Sequence, residues 1–497
     1  MRLSHIIILF GMALLSTAGC KRFLDQEPLR QTSIKNVDQL QALIDNIPVT
    51  ANVASGSADE TNLTAAYSTD DTEIDPELYK ESPSVAPLEN ILYYTFNIQQ
   101  VADASLDALW TGEFRKIFLA NTILENVEKV TGSEEQKGYV KADAHFIRAY
   151  SNWVLANYYC LPYSKDNLTT PGLPLKKSAN VVESLKRSTL GETYEFILSD
   201  LNEAMKVARE DVDPLKRWRV TKRTVEAMFS RYYLFIGDYT KALEYSDRAL
   251  ASTTVSLKDY KTIVAGAPIT YNNPPATLQV PQMYFWTNAE SLYWPEFYYT
   301  RYTNNRSQFY MPSSSLLALF EGSNDLRYKW FMIENGGRRF GSVKREVIRY
   351  SFFSDGKQLP SGLTRAELIL NKAEALARTN HIGDAMAAVN ELRAMRFSSP
   401  TNLSAVNADQ AISQVLNERR REFPFSMRWL DIRRFSVNNY PQDDVTVTRN
   451  FFKIGEGGVD VNTPQTYTLP TGSRRYMVPI NGIDVNASGG QLQQNTY

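Results

Sequence analysis

Between Met283 and Tyr302 the chain sets down Trp286, Tyr293, Trp294, Tyr298, Tyr299 and Tyr302, followed by Asn304 and Asn305, with Arg301 inside the run. Flat rings beside amide and guanidinium groups suit a molecule that is apolar on its faces and hydroxylated around its rim. The rings stack and the polar groups take the hydroxyls, and Tyr and Trp do this well because they offer large rigid area with a polar tip at little entropy cost. The candidate ligand contacts here are Trp286, Tyr293, Trp294, Tyr298 and Arg301. A second group of similar chemistry lies earlier, in Tyr67-Ser68-Thr69-Asp70-Asp71 and in Tyr93-Tyr94-Thr95-Phe96-Asn97, from which Tyr67, Asp70, Asp71 and Tyr93 are the candidates. The plainer reading of both is open: alternating aromatics in a short strand form core, and adjacent loop carboxylates are solvated. Asp70, Asp71, Glu73 and Asp75 lack the loop glycine and closing Glu of a calcium-binding loop, so no metal is expected.

Catalytic chemistry has little to stand on. The three histidines, His5, His145 and His381, sit in no His-Glu-x-x-His pattern, and neither a Gly-x-Ser-x-Gly elbow nor a phosphate-cradling Gly-x4-Gly-Lys-Ser/Thr occurs. Two carboxylates can hydrolyse a glycoside, but among 55 acidic residues nothing singles out a pair. No catalytic residue and no cofactor are expected.

The N-terminus carries a different chemistry. Arg2, the apolar stretch from Ile6 to Leu15, and Ser16-Thr17-Ala18-Gly19 before Cys20 read as a secretory signal cut for lipid attachment, with residues 1–19 removed and Cys20 acylated. Thr17 stands where such signals usually have an aliphatic residue. The apolar stretch is too short to span a bilayer, which takes about 20 residues. With Cys20 lipidated, Cys160 has no partner within the chain and reads as a buried, inert thiol. Basic and acidic residues balance at 54 against 55, which removes the electrostatic case for nucleic acid.

These groups need a scaffold, and the periodic segments provide one. In Thr221 to Ala251, the residues Ser230, Tyr233, Gly237, Tyr239, Ala242 and Ala249 fall at the small, aromatic and turn positions of a tetratricopeptide repeat, where small side chains let two helices approach and rings fill the remaining gap. Leu363 to Arg396 repeats the pattern around Thr379-Asn380-His381-Ile382-Gly383. Leu106 to Val130 and Lys141 to Tyr159 form a helical hairpin turning near Thr131-Gly132-Ser133, and the second of these pairs with Leu190 to Val207. The expected fold is mainly α: one body over 20–497, with a helical repeat scaffold at about 106–260 and 363–435. Long irregular or short-strand insertions at about 47–105, 268–311 and 444–497 are expected to carry the ligand site.

Ordered fragments over nearly the whole chain resemble the SusD/RagB family of outer-membrane nutrient-uptake lipoproteins. They are Cys20 with Phe23-Leu24-Asp25 and Pro28; Trp110-x3-Phe114-x2-Ile117-x3-Asn121; Ala142-x-Ala144-x-Phe146-x-Arg148-Ala149-Tyr150; and Gly172-Leu173-Pro174-Leu175. Further on come Asp325-x-Arg327, Arg365-Ala366-Glu367-Leu368, Glu418-Arg419-Arg420-x-Glu422-Phe423, Arg428-Trp429-x-Asp431-x-Arg433-Arg434, and the closing Asn495-Thr496-Tyr497. Phe114, Pro424-Phe425-Ser426 and Thr496 depart from the family's usual residues. The resemblance implies a non-catalytic, lipid-anchored cell-surface protein that binds an oligosaccharide, or alternatively a peptide, and delivers it to a SusC-like TonB-dependent outer-membrane transporter. A secreted glycoside hydrolase on a helical fold is the remote alternative. The charge runs at Glu418–Glu422 and Arg428–Arg434 read as ion-pair bracing, and Trp110 and Asn121 as packing groups.

Overall fold

The computed structural model describes residues 34–45, 63–101, 108–180, 182–273, 275–286, 288–304, 310–337, 346–352 and 358–497. Cys20, the signal expected at 1–19, and Asn305 lie outside them.

The chain folds mainly as antiparallel helix pairs. Helix α1 (Val37–Asp45) buries Val37, Leu40 and Ile44 against α2 (Ala108–Asn126) and α3 (Glu134–Tyr159), through Ala120, Ile123, Val140 and Ile147. Helix α3 starts earlier than periodicity suggests, because Ser133 and Gln136 form a reciprocal cap in which Ser133 Oγ accepts from the Gln136 amide. Thr189 and Glu192 cap α4 (Leu190–Val207), which packs along α3, in the same way.

The two clearest repeats form as read. Helices α5 (Lys222–Phe235) and α6 (Tyr239–Leu250) turn at Gly237, which takes a left-handed φ of 80°. They approach closely at Ser230 and Ser246, whose hydroxyls are 2.8 Å apart, with Ala242 and Ala249 buried alongside. Helices α7 (Arg365–Arg378) and α8 (Ile382–Ala394) make the second pair, with Asn380 at φ 65° in the turn. Helix α6 packs on α7, and α7 packs on α9 (Ala408–Glu422), so successive hairpins share one apolar interior. No helix among the described residues is long and apolar enough to cross a membrane.

The charge runs brace this stack. Glu418 on α9 meets Arg327, Arg393 and Arg421, while Glu422 meets Arg327 and Arg396, and Arg396 extends to Glu296. Arg434 on α10 (Arg428–Phe435) holds Glu374 of α7 with bonds of 2.6 and 2.7 Å. Asn121 ties the scaffold to its neighbouring loop by donating to the Lys176 and Ser178 carbonyls and accepting from Arg148. Cys160 is buried, and burial pushes its thiol up.

Short strands recur among the described residues of the insertion at 268–311. Of these, β1 (Phe297–Tyr299) pairs with β2 (Leu363–Thr364) just before α7. Gly362 makes that junction possible, since a Cβ there would stand 2.0 Å from the Tyr299 carbonyl oxygen. The insertion at 444–497 is less irregular than its sequence suggests: β3 (Val447–Gly455) and β4 (Gly458–Leu469) form the longest hairpin of the molecule among the described residues, turning into Gly458 at φ 105°. Strand β3 alternates buried Val447, Arg449 and Phe451 with exposed Thr448 and Asn450. An arginine among the inward residues breaks the apolar signal that marks a strand.

Candidate functional site

The residues proposed from sequence divide sharply in their surroundings. Trp294, Tyr298 and Arg301 are in the core, with 2%, 0% and 2% of their surface exposed. Trp294 packs edge-on against Phe352, Tyr298 donates its hydroxyl to the Ala249 carbonyl at 2.9 Å, and Arg301 neutralises buried Glu113 while lying 4.5 Å from the Tyr150 ring centre. Tyr67 and Tyr93 are likewise buried, Tyr67 near the ring of Tyr310. These five side chains have no face open to a ligand in this structure.

Trp286 and Tyr293 sit differently. Tyr293 is 48% exposed, and Trp286 is half-buried with its ring against Trp294 at a 6.1 Å centroid separation. Phe285, also exposed, stands beside them in sequence. Trp286 is backed by the buried ring of Trp294, whose chain neighbour Tyr293 is exposed. The side chain of Asn304 lies outside the described residues.

Asp70 and Asp71 serve as anchors. Arg428 spans the Asp70 carboxylate with bonds of 2.7 and 2.8 Å. Burial alone would raise the Asp70 pKa, but Arg428 and Arg420 outweigh it and hold the group well below the usual carboxylate range. Asp71 is fully enclosed, accepting from Arg420 Nε at 2.6 Å and from the Phe425 amide at 3.0 Å. Its pKa is raised, because burial dominates and the neighbouring Asp70 charge adds to it. Together the two acids clamp the first insertion to α9 and α10.

That clamp forms one side of a cleft of about 650 Å³, lined from three directions. Asp70, Glu73, Asp75 and Tyr94 come from the first insertion, Ser313, Ser314 and Ser315 follow the second, and Thr446, Thr448, Arg449 and Asn450 belong to the third. Arg449 fixes the floor: it donates to the Thr72, Thr69 and Tyr67 carbonyls and lies 4.1 Å from the Tyr94 ring centre. Glu73 accepts from the Ser314 amide at 2.8 Å, joining the other two walls. The Thr446 and Thr448 hydroxyls have no hydrogen-bond partner among the described residues, and Asn450 uses only its carbonyl oxygen, toward Thr466. Such a surface offers neutral donors and acceptors plus the carboxylates of Asp70, Glu73 and Asp75, and its one guanidinium is spent on backbone carbonyls. It can bind a polyhydroxylated neutral molecule through several moderate hydrogen bonds.

Of the cleft residues, only Asp70 is among the ligand contacts the sequence suggests. It missed Thr446, Thr448 and Asn450, although Thr446-x-Thr448-x-Asn450 alternating with Val447 and Phe451 is a strand signal with one polar face. Ser313-Ser314-Ser315 follows a proline and carries no such pattern.

Two family profiles match the chain. Residues 22–234 match one described as starch-binding, associating with the outer membrane, and residues 365–497 match the SusD family. None of the curated proteins compared with it matches. Solved structures similar to this chain include a SusD superfamily protein from Bacteroides thetaiotaomicron, 18% identical with a TM-score of 0.64, covering 93% of this chain and 100% of that one. A SusD-like carbohydrate binding protein from Bacteroides vulgatus is also 18% identical with a TM-score of 0.64, over 92% of this chain and 97% of the other. Surface glycan-binding protein A from Bacteroides uniformis is 16% identical with a TM-score of 0.61, over 92% and 98%. At such identities the likeness is one of fold.

Proposed function

This chain belongs to the SusD/RagB family, and from that premise we propose that it is a cell-surface receptor that grips a neutral oligosaccharide without cleaving it. It is held at the outer membrane by acylated Cys20, and it hands its ligand to a SusC-like TonB-dependent transporter. One observation carries the reading: segments far apart in the chain, at 70–76, 313–315 and 446–450, converge on a polar cleft that presents the unpartnered Thr446 and Thr448 hydroxyls, the Asn450 amide and the exposed Glu73 carboxylate. Such groups take hydroxyls, and the acids Asp70, Glu73 and Asp75 on the same lining disfavour an anionic ligand. Trp286 and Tyr293, which do not line the cleft, offer a separate surface on which a pyranose face can stack. Carbohydrate binding is also what the related proteins of B. vulgatus and B. uniformis are described as doing.

Calorimetric titration of the purified protein with maltoheptaose, laminarihexaose and a set of unstructured hexapeptides tests the reading. Saturable binding of an oligosaccharide with no release of shorter sugars is the expected result. Binding confined to peptides moves the protein to the peptide-uptake branch, and turnover at catalytic protein concentration makes it a hydrolase. The partner is tested separately, by detergent extraction of outer membranes: the protein should co-purify with a large β-barrel, and Cys20→Ser should release it into the soluble fraction.

A further inference from the structure

A second cavity, of about 310 Å³, shares no lining residue with the polar cleft. It lies between α2, the loop residues at 174–180 with Leu185, and the short helix Gly482–Ala487. Its volume is at the lower end of small-molecule sites, which run from roughly 300 to 1,000 Å³.

Its chemistry is that of a platform with a polar stop. Phe118 presents an open ring, 45% exposed, and Phe114 lies one turn earlier on the same helix. Trp110 backs Phe114 at 4.7 Å between ring centres and is itself packed by Tyr159 at 4.9 Å, so this part of the wall is supported from behind. Across from it, Asp484 lines the cavity half-buried, and its carboxylate has neither a hydrogen-bond nor an ion-pair partner among the described residues. Burial pushes that carboxyl up, as happens when an acid loses water and gains nothing in return.

The remaining charge decides what the site takes. Lys176 also lines the cavity, with its ammonium turned to the Glu183 and Ser184 carbonyls. One half-buried cation and one half-buried acid offset each other, so an ammonium ligand would face Lys176 and an acidic one would face Asp484. A neutral ring with an apolar face and a hydroxylated edge gains from both walls: its face rests on Phe118, and adjacent hydroxyls donate to the Asp484 carboxylate. We propose that this cavity is a second saccharide subsite, separate from the cleft, in which Phe118 is the stacking surface and Asp484 the hydroxyl acceptor. The inference rests on the saccharide-binding reading above, and it makes the protein bivalent toward a long chain.

Calorimetry with maltoheptaose and laminarihexaose, run on the wild type, Phe118→Ala, Asp484→Asn and the double variant Trp286→Ala/Tyr293→Ala, tests it. Phe118 and Asp484 lie at the surface, and unchanged melting temperatures verify that their variants are folded. The expected result is binding at two sites, one weakened at least tenfold in both Phe118→Ala and Asp484→Asn and retained in the double variant. A single site that is lost in Phe118→Ala overturns the bivalent arrangement, because the cavity would then be the whole binding site. Saccharide binding that is unaltered by both cavity variants overturns the subsite and leaves the receptor function standing. A wild type that binds no saccharide overturns both.

Discussion

Arg231 of α5 and Glu367 of α7 face each other in the interior, joined by two bonds of 2.7 and 2.6 Å with 1% and 2% of their side chains exposed. The same guanidinium donates to the Tyr150 hydroxyl of α3 and to the Gly362 carbonyl at the entry to α7. Three helices and a strand junction therefore meet at one cation. Glu367→Ala strands that cation in a dry environment, which costs about 3–5 kcal/mol. The urea midpoint should fall accordingly, while saccharide affinity measured under folding conditions stays at the wild-type value. A midpoint equal to that of the wild type contradicts the bracing role.

The ion-pair stack also sets an acid limit. Burial alone would raise the Glu418 pKa, but Arg327, Arg421 and Arg393 outweigh it and bring the group down to about 2 from an ordinary value of 4.5. Glu374 is held well below the carboxylate range, where Arg434 and Arg378 overcome its burial. An acid with a depressed folded pKa contributes stability above its unfolded value and loses it as pH falls through the folded one. Asp71 and Glu296, raised by burial, act in the opposite sense and reduce the slope. The melting temperature should hold near neutrality and drop as pH falls from about 4.5 toward 2. Glu418→Gln should start lower at neutral pH and fall less steeply, a comparison that scanning calorimetry makes directly.

The helical pairs were legible because their signal is redundant: Ser230, Gly237, Ala242 and Ala249 mark one hairpin several times over, and a single substitution leaves the pattern readable. Ion-pair bracing was legible in the charge runs as a role, and the Glu418–Arg421 and Asp431–Arg434 pairs sit at the expected spacing, but Glu422 and Arg434 also reach Arg327, Arg396 and Glu374, which no local spacing reveals. The site was less so. Trp294 and Tyr293 are adjacent and chemically alike, yet one is sealed in the core and the other half exposed, a choice made by Tyr260, Phe331 and Phe352 arriving from elsewhere in the chain. Asp70 and Asp71 look like free loop acids until Arg420 and Arg428, some 350 residues later, close on them. Long-range partners decide such cases, and a local pattern holds no record of them.

On β3, Thr448 and Asn450 test the cleft with little risk to folding, since both are exposed and their neighbours Val447, Arg449 and Phe451 carry the packing. Thr448→Ala and Asn450→Ala should each weaken oligosaccharide binding by about 0.5–1.5 kcal/mol, the net worth of a hydrogen bond exchanged with water. Melting temperatures should stay unchanged. Affinities equal to that of the wild type in both variants place the ligand outside this cleft.

Trp286, Tyr293 and Trp294 separate binding from packing within a few residues. Tyr293 is exposed and Trp286 half-buried, so replacing each with Ala should remove stacking worth about 1–3 kcal/mol of affinity, the scale of an interfacial aromatic anchor. The Tyr293 variant should melt like the wild type. Trp294→Ala should behave in the reverse way, costing about 3–5 kcal/mol of stability because it empties a site packed by Phe352, Tyr260 and Trp286. Any affinity it loses should come through slackening of Trp286, whose ring leans on it. Titrating all three variants beside thermal melts resolves the two roles: if Tyr293→Ala binds as tightly as the wild type, that ring is not a ligand contact, whatever its exposure.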